Sequence, residues 1–150
     1  MSNFNPKFVE VNTFSKAADY INVPHEDYPK RVPRTLSVIE DLVETPIPLT
    51  FDASLLKQIH SYVMDDMHIS CRGTWRPMNV TVGADTPPDS ILVPEEMEKI
   101  LPVTFETDII EWYRKFQIIH PFADGNGRVG GIVVASFSYC KDGKIMAPLQ

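Results

Sequence analysis

The sequence predicts one domain that is mainly α-helical and carries a small β-hairpin. The chain has 150 residues, which is enough for one hydrophobic core. Most of its apolar residues recur at helical spacing, and alternating, strand-like residues are confined to residues 77–93. Residues 1–34 contain several prolines near their end and predict an irregular N-terminal arm. We therefore expect residues 35–150 to form the folded domain.

Helices are predicted by apolar periodicity together with start signals. Thr35 and Asp52 are candidate N-caps of two amphipathic segments, and Pro94 opens a third, short helix. Residues 107–120 show the clearest pattern, with aromatic and aliphatic residues three and four positions apart. Residues 130–140 are apolar nearly all round, which indicates a helix buried at the centre of the domain.

Composition excludes several classes of partner. The net charge is −6, so a nucleic acid is not an expected partner. Cys71 and Cys140 have no spacing typical of a disulfide framework or a zinc site. No apolar run approaches the roughly 18 residues of a membrane span, and the N-terminus lacks signal-peptide order. These features predict a cytoplasmic protein.

The stretch HPFADGNGRVGG, residues 120–131, combines polar chemistry with backbone freedom just before the buried helix. A helix N-terminus attracts phosphate, and glycines at 125 and 127 can take positive φ and form an anion nest with the side-chain amide of Asn126. Arg128 adds a charge-assisted donor, and Asp124 is a hard oxygen ligand suited to Mg²⁺. His120 titrates near physiological pH. The combination predicts phosphoryl or nucleotidyl transfer.

The same residues resemble the signature of the Fic-domain family, His-x-Phe-x-Asp/Glu-Gly-Asn-Gly-Arg-x-x-Arg, at every position except the last. The segments FQIIHPF and GTWRPMNVTV, and the run PPDSILVPEEMEKIL, also look like flanking parts of that family. The resemblance covers about residues 35–140. It implies a Fic-like helical bundle with a β-hairpin flap, and transfer of AMP from ATP to a Ser, Thr or Tyr hydroxyl of a target protein with Mg²⁺.

The resemblance also implies roles for single residues. His120 would be the general base, Phe122 would anchor the loop, and Asp124 would hold Mg²⁺. Arg128 would stabilise the leaving pyrophosphate. The phosphate hole would be formed by three residues, Gly125, Asn126 and Gly127. The flap, centred on Val80, Thr81 and Val82, would align the target by adding its extended segment as a strand.

Gly131 departs from the signature, because the family has a second arginine there that steadies the γ-phosphate. Losing such a contact costs about 1.5–3 kcal/mol, so the choice of nucleotide is open. Transfer of phosphocholine or a γ-phosphoryl group is one alternative, and a non-catalytic nucleotide- or partner-binding protein is another. Glu40 stands where the family's inhibitory helix has its glutamate, and a solvated helix residue is the favoured interpretation. The resemblance leaves open an antitoxin-like regulator and the oligomeric state.

The remaining candidates are assigned to the framework. His25, His60 and His68 share no ligand spacing and are interpreted as structural or surface residues. Trp75 and Arg76 either line the cleft or pack beneath the hairpin.

Overall fold

Helices dominate the part of the chain that the computed structural model describes, which comprises residues 4–22, 28–45, 49–64 and 71–149. In chain order the regular elements are β1 (Phe8–Val11), α1 (Phe14–Asn22), α2 (Tyr28–Val43), α3 (Ala53–Val63), α4 (Val93–Glu98), α5 (Ile109–Ile119), α6 (Asn126–Asp142) and β2 (Ile145–Pro148), with a 3₁₀ turn at Ser90–Leu92 before α4. The predicted fold class, a mainly helical domain, is confirmed. None of the described helices combines the length and apolarity needed to cross a bilayer.

The centre of the fold is α6, which packs against α5, α2 and α1. All residues from Val129 to Ser138 are buried, as the continuous apolar run predicted. The helix ends at Gly143, whose φ of 70° is left-handed and therefore suits glycine. Helix α5 begins at Asp108, whose side chain accepts a hydrogen bond from the Glu111 N–H at 3.1 Å, and buries its predicted aromatic face.

The N-terminal segment is not irregular where it is described, so that part of the prediction was wrong. Strand β1 pairs antiparallel with β2, with Phe8 opposite Pro148, and α1 packs on α2 and α6. A four-residue strand carries almost no local signal, and its partner lies more than a hundred residues away. The pairing therefore exists only because the tertiary structure brings both chain ends together.

Two predicted helix starts had different outcomes. Asp52 caps α3, since its carboxylate accepts from the Leu55 N–H at 2.8 Å. Thr35 is not a cap, because α2 begins at Tyr28 and places Thr35 inside the helix. There Thr35 is buried, and its hydroxyl accepts from the Asn22 amide at 3.1 Å. Proline at the second position of α2 reads as a breaker, yet a helix tolerates it in the first turn.

The flap, residues 77–89, has less regular pairing than the alternation predicted. Val82 and Asp85 exchange backbone hydrogen bonds of 2.9 Å across a tight turn at Gly83, which has a φ of 60°. This isolated bridge takes the place of two extended strands. Further along, the Asn79 side chain accepts from the Ser90 N–H at 2.7 Å.

Candidate active site

The loop between α5 and α6, residues 120–125, is called the motif loop. It begins at His120, which ends α5 in a left-handed conformation with φ 52° and ψ 61°. It ends at Gly125, also left-handed with φ 82°, which is the N-cap of α6. The first backbone bond of α6 runs from Val129 N–H to Gly125 O at 3.0 Å, so the preceding N–H groups lie at the open end of the helix.

Asn126 closes the motif loop from inside. Its amide Nδ2 donates to Phe122 O at 2.8 Å, and its Oδ1 accepts from Phe122 N–H at 2.9 Å. The residue is only 2% exposed. The predicted use of this amide as a phosphate donor was therefore wrong, because the backbone of Phe122 already occupies both ends of the side chain. Asn126 shapes the loop instead.

Phe122 anchors the motif loop, as the resemblance implied. It is fully buried and stacks on the imidazole of His60, with ring centres 3.9 Å apart and planes at 6°. Trp75 packs against the same ring at 5.1 Å, so packing beneath the flap describes Trp75 correctly. These contacts make the motif loop an extension of the core.

His60 is a structural residue that supports the site from α3. Its Nδ1 accepts from the Gly73 N–H at 2.9 Å, which leaves the proton on Nε2, and Nε2 donates to the Asp124 carbonyl at 2.9 Å. Burial lowers the pKa of His60, and the charge of Arg128 lowers it further, although the Asp124 carbonyl acts in the opposite direction. His60 is thus held neutral. No spacing in the sequence links it to a loop sixty residues away.

A cleft of about 570 Å³ opens beside His120. It is lined by Phe4, Asn5, Pro6, Lys7, Val82, Tyr113, Gln117, His120, Gly127 and Leu149. Of the predicted site residues, the structure brings His120, Gly127 and Val82 to this cleft. The chain-terminal residues in the lining were not predicted, because their position depends on the pairing of β1 with β2.

The electrostatics of the cleft favour a neutral imidazole. Burial lowers the pKa of His120, and the nearby charge of Arg76 lowers it further, while Asp124 opposes both. Burial also raises the pKa of Tyr113 to about 12, which keeps its phenol protonated. At neutral pH the cleft therefore contains an imidazole able to accept a proton.

The phosphate hole predicted from three residues is only partly formed as expected. Gly125 has the required positive φ, but Gly127 does not, since it lies in the first turn of α6. A Cβ on Gly125 would lie 2.8 Å from Met64 Sδ, so glycine is favoured there for space as well as for conformation. What faces the cleft is the start of a helix rather than a curled nest of glycines.

Asp124 is exposed and accepts from the Gly125 N–H at 2.8 Å through Oδ1. In the described ranges no group of three His, Cys, Asp or Glu side chains could hold a metal without further ligands. A single carboxylate fits Mg²⁺, which is usually bound through one or two carboxylates together with substrate phosphates and water.

Arg128 lies deeper than the resemblance implied. It is 3% exposed, and its Nη1 donates to Val63 O, at the end of α3, at 2.5 Å. The residue is absent from the cleft lining. Its charge nevertheless lies one turn inside α6 and adds to the positive potential at that end of the helix.

Gly130 and Gly131 are explained by helix packing. A Cβ on Gly131 would lie 2.7 Å from Ile21 Cγ1 of α1, and one on Gly130 would lie 2.7 Å from Gln117 Nε2 of α5. Position 131 therefore faces α1, not the cleft. An arginine in this position cannot be accommodated while α1 packs as observed.

The structure places the remaining candidates outside the cleft lining. Glu40 is exposed on α2, in agreement with a solvated helix residue. Val80 is half-buried and Thr81 is exposed on the flap. His25 and His68 lie outside the described residues.

Comparisons with known proteins agree with this geometry. The model of the Fic/DOC family matches residues 50–138. Among solved structures, a Fic family protein from Desulfovibrio desulfuricans G20 superposes with a TM-score of 0.58 at 21% sequence identity. The match covers 89% of this chain and 44% of that protein, so the chain spans less than half its length. No curated protein matches the sequence significantly.

Proposed function

The chain belongs to the Fic/DOC family, and from this premise we propose that it transfers AMP from Mg-ATP to a Ser, Thr or Tyr hydroxyl of a target protein. Family membership supports a Fic-type transferase in general. The observation that carries the finer proposal is that His120 and Gly127, at the start of α6, line the same cleft. A proton acceptor and a phosphate-attracting helix end thus share one space.

His120 takes the proton of the target hydroxyl as its oxygen attacks the α-phosphorus of ATP. A bond forms between that oxygen and phosphorus, and the bond from the α-phosphorus to the bridging oxygen breaks. Pyrophosphate leaves with the electron pair. The lowered pKa of His120 supports this role, because the base must be unprotonated before the reaction.

The charged groups around this step divide the work. Asp124 would hold Mg²⁺, and the metal would neutralise charge on the phosphates. The N–H groups at the start of α6 lie where phosphate oxygens are best stabilised. Arg128 would oppose charge on the departing pyrophosphate from its buried position in α6.

A different phosphate-linked donor is the second candidate, and Gly131 favours it. The position of the second arginine is occupied by packing against Ile21, so no residue at 131 can contact a γ-phosphate in the cleft. Phosphocholine or γ-phosphoryl transfer, or nucleotide binding without catalysis, would need less from that position. Inhibition by Glu40 and an antitoxin-like regulator stay predictions.

The test uses ATP labelled at the α- or the γ-phosphate, with Mg²⁺, purified protein and cell lysate as the source of targets. We expect label from the α position on protein, and no such label with His120→Ala. The matched control is His60→Gln, which alters a buried histidine outside the cleft. Its Tm is measured alongside, so that a loss of fold is separated from a loss of base.

Each outcome distinguishes the candidates. Label from the γ position alone would indicate kinase-type transfer and overturn the AMP proposal. Calorimetric binding of ATP with no label from either position, in self-modification and lysate assays alike, would favour the binding protein. Label that persists in His120→Ala would remove His120 from the mechanism.

A further inference from the structure

Arg76 is the largest of the fully buried side chains, with 1% of its surface exposed. Its guanidinium donates to four backbone carbonyls rather than to a carboxylate in the described structure. Nε donates to His120 O at 2.6 Å and Nη2 to Ile119 O at 3.2 Å. Nη1 donates to Met78 O at 3.0 Å, and Nη2 also donates to Pro88 O at 2.6 Å.

These acceptors come from two places that must be related for the proposed reaction. Ile119 and His120 form the end of α5, where carbonyls lack helical partners. Met78 and Pro88 lie near the two ends of the flap. Since the flap has only the Val82–Asp85 bridge, its ends are not held together by a strand ladder.

We infer that Arg76 is a positioning residue, whose planar guanidinium joins both ends of the flap to the carbonyls beside His120 and so sets where the flap stands relative to that imidazole. The inference rests on the proposed function only for the meaning of this geometry. A planar fork with five N–H donors can reach four carbonyls in fixed directions, and a lysine ammonium cannot. The Arg76 N–H strengthens the link by donating to Pro121 O at 2.8 Å.

A filler of the core would not need this side chain. A buried charge is retained at a cost in desolvation, and an apolar residue of similar volume would pack without that cost. The lowered pKa of His120 agrees with a cation held nearby, with Asp124 opposing it and Lys7 across the cleft.

The test compares Arg76→Lys and Arg76→Met with the matched control Arg114→Lys, which alters an arginine paired with Glu111 on the outer side of α5. Amide hydrogen exchange is measured by NMR in the whole protein. We expect the amides of Val82, Asp85 and His120 to exchange at least tenfold faster in both Arg76 variants. The amides of α6 from residue 132 to 138 should stay within twofold of the unaltered protein, and Arg114→Lys should change none of these.

Two results overturn the inference. One is flap and His120 exchange within twofold of the unaltered protein in a folded Arg76 variant. The other is equal acceleration of the α6 amides, which a merely structural role would produce. If neither variant folds, the unaltered protein decides: the Arg76 Nε proton should exchange at least tenfold more slowly than that of Arg114, and a rate equal to that of Arg114 refutes the proposal.

These readouts need no nucleotide or target. If the labelling assay fails while the exchange pattern appears, the proposed function is wrong and the positioning role stands. If labelling succeeds with a given target, Arg76→Lys should raise its KM at least fivefold with a smaller change in ATP binding. An unchanged KM would remove the link to the reaction.

Discussion

The motif loop and the flap both reach the cleft, one through His120 and the other through Val82, but they are held in opposite ways. In the motif loop, Asn126 binds the backbone from inside and Phe122 is inserted in the core. The flap has one bridge of backbone bonds and residues that are exposed or half-buried.

This difference indicates a division of labour. Groups that act on the reacting atoms gain from being fixed before the substrate arrives. A segment that aligns an extended peptide by strand addition gains from unpaired backbone groups. The motif loop has the first property and the flap has the second, and Arg76 connects them.

The largest expected effect separates chemistry from recognition. His120→Ala should lower kcat by about 10²–10⁴-fold, since it removes the general base. Thr81→Pro removes one flap N–H and should raise the KM for the target while leaving kcat within about threefold. Steady-state kinetics with a labelled target measures both. A kcat loss of equal size in the two variants would contradict the division.

The next comparison measures how tightly each region is tied. Asn126→Ala leaves both polar groups of Phe122 without their partner in a buried place and should destabilise the protein by about 3 kcal/mol. Asn79→Ala removes the bond to the Ser90 N–H at an exposed site, where water can replace it, and should cost under about 1 kcal/mol. Urea unfolding gives both values, and similar costs would show that the two regions are equally rigid.

Two left-handed glycines provide a smaller but cleaner test. Alanine at either Gly125 or Gly83 meets the same conformational penalty of about 1–2 kcal/mol. Only at Gly125 would the new Cβ also press on Met64, because nothing lies within 4 Å at Gly83. We expect Gly125→Ala to be the more destabilising by about 1 kcal/mol in thermal unfolding. The reverse order would show that Met64 moves aside freely.

The smallest effect concerns pH. Because burial lowers the pKa of His120 from its ordinary 6.5, the imidazole in the folded protein protonates only below that value. The folded state then binds this proton less tightly than the unfolded chain, so stability falls as pH drops below 6.5. The rate should be flat from pH 7 to 8 and should decline with a midpoint below 6.5. A midpoint above 6.5 in a pH–rate profile would contradict the lowered pKa.

The sequence by itself determined the elements whose causes are local. The periodicity of α5 and α6, the cap at Asp52 and the turn at Gly143 depend on residues within about one helical turn of each other. The candidate loop was found for the same reason, since its polar groups and glycines are contiguous.

Only the tertiary structure decided which of those groups face the cleft and which are used as framework. The pairing of β1 with β2, the support of the motif loop by His60 and the reach of Arg76 from flap to α5 join residues far apart in the chain. Gly131 owes its lack of a side chain to Ile21, which lies on another helix. Such contacts follow from how whole elements pack, and no pattern among neighbouring residues contains that information.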